Sequence, residues 1–159
     1  MLLLKFCHWI GRTHLGLFMR NSTYAFAVVE IFHLLALAVF GGAILLVNLR
    51  FLGVAFKLQP TSQVARDFLP LTGGGVVAMF ISGFLLFMGG SMRYYHNPAF
   101  RSKMLLFIVA LVFHFFLQIK VSRQTSGVTR DSIWLKLGAA VSLALWFAIG
   151  LAGRAIGYV

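Results

Sequence analysis

Acidic residues are nearly missing from this chain: Glu30, Asp67 and Asp131 are all there are, against fourteen Lys and Arg and a formal net charge of +11. A site built on several carboxylates has little to draw on. There is a single cysteine, Cys7, which excludes an internal disulfide and a thiolate metal site and leaves it as an apolar filler. No Ser/His/Asp constellation, HExxH or Walker loop occurs, and "TGGGV" lacks the Lys that follows in a phosphate cradle. Hydrolysis is unsupported, and a stand-alone enzyme is not expected.

Charge is scarce overall. Only 11% of the 159 residues are charged and 60% are hydrophobic, 17 of them Phe, where a soluble domain carries roughly 25% charged residues. With a mean hydropathy of +0.92, the bilayer must be the solvent for most of the surface. The basic excess would suggest nucleic acid in a soluble protein. Here Lys and Arg stand at the ends of apolar runs, where they meet lipid phosphate, so nucleic-acid binding is rejected.

Four apolar segments are long enough to cross: about 24–49, 68–92, 98–120 and 134–154. The first follows "NST", a choice of capping residues, and the third opens with Asn97 as N-cap and Pro98 as first helical residue. Residues 1–20 have no signal-peptide core or cleavage site. Leu2 to Leu4, Phe6, Trp9, Ile10 and Leu17 alternate with Lys5, His8, Arg12 and His14, the pattern of a helix lying in the interface. The chain therefore reads as one all-α membrane domain: a four-helix transmembrane up-and-down bundle with an N-terminal interfacial amphipathic helix. The connection 50–67, which holds Pro60, Thr61, Ser62, Arg66 and Asp67, reads as a polar loop.

Side A denotes the membrane face with the start of the first span, the turn between spans two and three, and the C-terminus. It carries Lys5, Arg12, Arg20, Arg93, Arg101, Lys103 and Arg154; side B carries Arg50, Lys57, Arg66, Lys120, Arg123, Arg130 and Lys136. The tie leaves the positive-inside rule undecided. Side B is expected to be cytoplasmic, because several side A cations are candidates for a ligand.

Ionisable groups inside spans are costly, about 2.5 to 3.5 kcal/mol each on insertion scales, and mark function unless paired. Glu30 and His33, three apart, share a helical face. His114 lies deeper in the third span, with Gln118 one turn on. Counted from the first apolar residues of their helices, His33 and His114 differ in depth by only ~6 Å. The pair could clamp one haem iron from both sides. Gly41, Gly42, Gly75 and Gly83 would make room for the macrocycle, and Arg93, Arg101, Lys103 and Arg154 would hold its propionates. Glu30 would tune His33. His96, in the side A turn, is a further metal candidate, alone or with His8 or His14. Each has a plainer reading: a hydrogen-bonded polar pair, a satisfied buried histidine, a solvated turn, helix-packing glycines, lipid-facing cations.

"NSTYAFAVVEIFHLLALAVFGGAILLVNLRFLGV", "RYYHNPAFRSKMLLF" and "VSLALWFAIGLAGRAIGY" together resemble a poorly characterised family of small bacterial four-helix membrane proteins, distantly like the membrane domain of the copper-resistance D proteins. The matching features are Glu30 and His33 of ExxH, Leu49-Arg50 and Gly53, Asn97-Pro98-Ala99-Phe100 with Lys103, and Trp146 with Gly153-Arg154. The resemblance implies a multi-pass protein of the bacterial inner membrane with a histidine-based site for haem or copper.

The leading expectation is a small membrane b-type cytochrome, holding haem b between His33 and His114 and exchanging electrons with a redox protein or quinone. The alternative is a non-redox scaffold, an accessory subunit, or a carrier of copper or another small solute with a Glu30–His33 relay. Gly-rich faces suit homo-oligomerisation or membership of a larger membrane complex.

Overall fold

The computed structural model describes residues 2–124 and 132–155; Arg130 and Asp131 lie outside them. Every regular element among these is a helix: α1 (Leu2–Gly11), α2 (His14–Asn21), α3 (Thr23–Phe51), α4 (Thr61–Asp67), α5 (Leu69–Gly89), α6 (Ser91–His96), α7 (Pro98–Ser122) and α8 (Ile133–Ala155). Four stretches are long and apolar enough to cross a membrane: Thr23–Phe51, Thr61–Gly89, Pro98–Ser122 and Ile133–Arg154. The chain is an all-α multi-pass membrane bundle.

Local signals set the helix starts. Ser22 Oγ accepts from the Ala25 N–H at 3.2 Å to open α3, and Asn97 Oδ1 accepts from the Phe100 N–H at 3.1 Å to open α7, with Pro98 at its first position. The N-terminal segment is two helices, not one. Thr13 separates them: its hydroxyl donates to the Ile10 carbonyl at 2.6 Å and accepts from the Gly16 N–H at 3.2 Å. Gly16 is required there, since a Cβ would stand 2.6 Å from the Ile10 carbonyl oxygen. After α3, Gly53 takes a positive φ of 79°, the conformation that ends helices at glycine.

The connection 50–67 departs from a simple loop. Thr61–Asp67 is helical, and it turns Thr61, Ser62, Val64 and Ala65 inward beside α7. Arg50, read from sequence as a lipid-facing cation, is instead buried and donates twice to the Gln59 carbonyl, from Nε at 3.0 Å and Nη2 at 2.7 Å. Arg66 likewise donates to the Ser122 carbonyl at 3.1 Å.

Packing is uneven along the bundle. In α3 no residue from 23 to 39 is buried, whereas Phe40, Ala43, Ile44, Val47, Asn48, Arg50 and Phe51 are. In α7 burial begins at Ala110. Val47, Phe51, Ala65, Val121, Leu135 and Ala139 form an apolar cluster at side B. Above it α3 packs along α5, and α7 along α8. The side A half is looser, and the spans there bury only Ser82, Met88 and Ile149.

Candidate functional site

Between the two ends the interior is layered. Nearest side B is a fully buried polar layer. Asn48 Nδ2 donates to the Ile44 carbonyl at 2.9 Å and stands 3.5 Å from His114 Nδ1, which is 3.4 Å from Ser142 Oγ. Gln118 donates to the Ala65 carbonyl at 3.0 Å, and Thr72 donates to Gln118 Oε1 at 3.1 Å. Three buried atoms in this region have no hydrogen-bond partner: Asn48 Oδ1, His114 Nε2 and Trp146 Nε1.

Above it lies an aromatic layer. Trp146 meets Phe40 edge-on with ring centroids 5.3 Å apart, Phe107 at 5.8 Å and His114 at 6.4 Å, and Phe107 meets Phe80 at 5.8 Å. These rings separate His114 from the side A half.

His33 belongs to that upper half and is only partly buried. Its Nδ1 is 2.8 Å from Ser82 Oγ. Ser82 Oγ is also 2.6 Å from the Ala78 carbonyl, which can only accept, so the one hydroxyl proton is committed there. That arrangement favours Ser82 as acceptor and His33 Nδ1 as donor. Nε2 has no partner among the described residues, and in the neutral ring it would carry the lone pair. Gly83 completes the seat: a Cβ there would stand 3.2 Å from His33 Cε1. Serine and glycine on α5 thus orient the imidazole and let it lie close to the helix.

Lys103 and Glu30 are charged residues in the neighbourhood of the His33 ring. Lys103 lies beside α8, its Nζ 3.3 Å from where a Cβ on Gly153 would be, and neither it nor Glu30 has a hydrogen-bond or ion-pair partner among the described residues. Glu30 is exposed one turn above His33. This half of the bundle therefore gathers an imidazole with an unpartnered nitrogen, a lysine and a glutamate.

His33 and His114 do not come together. His114 sits at the level of Asn48, fifteen residues below His33 along α3, or about 22 Å at 1.5 Å per residue. Two ring nitrogens sharing one metal stand about 4 Å apart, twice a ~2 Å metal–nitrogen bond. The ~6 Å offset expected from sequence assumed that both helices start at one depth; α3 starts well above α7.

The remaining candidates scatter. Arg101 and Arg154 are exposed at the side A ends of α7 and α8, and Arg93 lies on α6. His96 is exposed, edge-on to Tyr95 at 5.1 Å, and no group of three His, Cys, Asp or Glu that could hold a metal ion occurs among the described residues. Of the glycines, Gly75 packs against Phe40, while Gly41 and Gly42 have no side-chain neighbour within 4 Å. Sequence reasoning missed Asn48, Thr72 and Ser82. Asn48 in "LLVNLR" was detectable as an amide inside an apolar span; nothing marks Ser82 until its partner is known.

No curated protein and no solved structure matches the chain. Residues 4–159 match the profile of DUF6644, a family of unknown function, and the chain belongs to that family.

Proposed function

We propose that the protein is a small b-type haem protein of the bacterial inner membrane, in which His33 alone among the transmembrane histidines ligates the iron. The observation that carries this reading is the unpartnered Nε2 of His33, on a ring whose Nδ1 is held by Ser82, itself bonded to the Ala78 carbonyl. Neutral imidazole is the form that binds iron, and a donor-oriented ring is the usual setting of a ligating histidine. The fit is supported by Gly83 beside the imidazole, Gly153 beside Lys103, and the sparse packing of the side A half. When bound, haem would supply one-electron chemistry. The chain's own part is to seat the ligand through Ser82 and Gly83 and to place Lys103 where an anionic edge needs a cation. Arg101 and Arg154 lie at the same end for the same purpose. A quinone or a redox protein on side A would exchange the electron. His114 takes a structural role.

The absorbance spectrum of the full chain, purified from a haem-replete host, tests this. A Soret band is expected that H33A loses and H114M keeps. No Soret band, or one that survives H33A, overturns the reading.

A second reading is a non-redox carrier with a proton relay, favoured by the exposed carboxylate of Glu30 one turn from the open nitrogen of His33. In that case E30Q abolishes transport in vesicles, and no haem is bound.

A further inference from the structure

A separate cavity of about 620 Å³ opens on side A between α1–α2 and the junction of α5, α6 and the start of α3. Its lining holds three guanidinium groups, Arg12, Arg20 and Arg93, and no carboxylate. All three arginines are exposed at the rim. The floor is apolar, with Met19 and Met88 buried and Phe26 half-buried.

The cavity is built by the fold. α1 is fastened to α6 by the Ser91 hydroxyl, which donates to the Cys7 carbonyl at 2.9 Å in a buried contact. Gly11 permits that approach, since a Cβ there would stand 2.8 Å from Ser91 Oγ. The outer faces of α1 and α2 show Phe6, Trp9, Leu15 and Phe18, the residues that lay a helix into a bilayer surface. The arginine rim therefore lies at headgroup depth, with the floor reaching towards the acyl chains.

Three cations around an open, mainly apolar cavity with no acid in its lining are complementary to an amphiphile with an anionic head. Guanidinium pairs with phosphate through two parallel N–H donors, so phosphate suits this rim better than a point charge would. We infer that this cavity is a binding site for the phosphate headgroup of an anionic membrane phospholipid. The lipid pins the N-terminal helices over the side A mouth of the bundle. The site is independent of the haem reading and uses none of its residues.

Full-length protein in nanodiscs is tested by native mass spectrometry for retained lipid, with phosphatidylglycerol competing against phosphatidylcholine. A preference for phosphatidylglycerol of about a hundredfold is expected, as about 1 kcal/mol from each of three basic groups at a membrane surface supplies. It should fall close to parity in R12Q/R20Q/R93Q and partway in R93Q alone, an exposed change that leaves the fold intact. K57Q/R123Q, on side B, should keep the full preference. Equal retention of the two lipids, an unchanged preference in the triple variant, or an equal loss in the side B variant overturns the inference. So does displacement of the lipid by millimolar inorganic phosphate, which would make the free anion the ligand. H33A should leave the preference untouched, so this test and the haem test fail separately.

Discussion

His33 and Ser82 are joined across α3 and α5 by a 2.8 Å contact between Nδ1 and Oγ. Ser82 Oγ also lies 2.6 Å from the Ala78 carbonyl, an arrangement that favours Nδ1 of His33 as the donor and leaves Nε2 facing away from it. S82A should remove this control while leaving the helices packed. Iron or haem affinity is expected to drop about 10- to 100-fold, as when an outer partner of a ligating histidine is lost. S82T, which keeps the hydroxyl, should recover most of it. Haemin titration followed by absorbance measures both.

Glycines on α5 should separate into site and scaffold. G83A presses a methyl 3.2 Å from His33 Cε1 and should weaken ligand binding with little change in melting temperature. G75A meets the Phe40 Cβ at 2.9 Å and should destabilise by about 1–3 kcal/mol, the range for overpacking. G41A, with open space around it, should be neutral in both assays. Thermal unfolding in detergent and haemin titration distinguish the three.

His114 and Gln118 share a buried layer but should respond in opposite ways. Gln118 has well-formed bonds to Thr72 and the Ala65 carbonyl, so Q118A strands buried polar groups and should cost about 2–3 kcal/mol. His114 has long contacts of 3.4 and 3.5 Å and an unpartnered Nε2. H114M, of similar volume, should therefore change stability by less than about 1 kcal/mol. Denaturant unfolding of the two variants in one detergent tests the contrast.

Arg50 holds the turn between α3 and α4. R50A removes two charge-assisted donors from the Gln59 carbonyl, with an expected cost of about 2–3 kcal/mol. Amide hydrogen exchange of residues 53–59 should accelerate well beyond that of α3. R50K, which lacks the planar fork, should recover only part of the protection.

Burial raises the pKa of the Cys7 thiol above its ordinary value. Less thiolate is present at neutral pH than for a free cysteine, so maleimide labelling in the folded protein should be slow at pH 7 and rise with pH. Labelling as fast as free cysteine at pH 7 would contradict this.

The four spans were legible because 60% hydrophobic residues in 159 leave no other solvent than lipid, and the start of α7 because Asn97-Pro98 has one local meaning. α4 was not legible. Its sequence, TSQVARD, is polar enough to pass for a loop, and only the contact of Val64 and Ala65 with the bundle makes it a helix. The Glu30–His33 pair was visible as a spacing; the relative depth of His33 and His114 was not. That depth depends on how far α3 slides past α7, a tertiary quantity set by Asn48, Phe40 and Trp146 packing near the middle of the membrane. Ser82 was hidden for the same reason, since its importance comes from α3 lying against α5.

The apolar cluster of Val47, Phe51, Ala65, Val121, Leu135 and Ala139 separates what holds the protein together from what it binds with. Apolar replacements at residues 23–39 of α3 should cost little fold, since none of these residues is buried in the bundle. Mutational damage to binding and mutational damage to folding should therefore map to opposite leaflets. Among the described residues the same division puts the open half of the bundle at side A, so that whatever reaches His33 arrives from that side or sideways out of the bilayer.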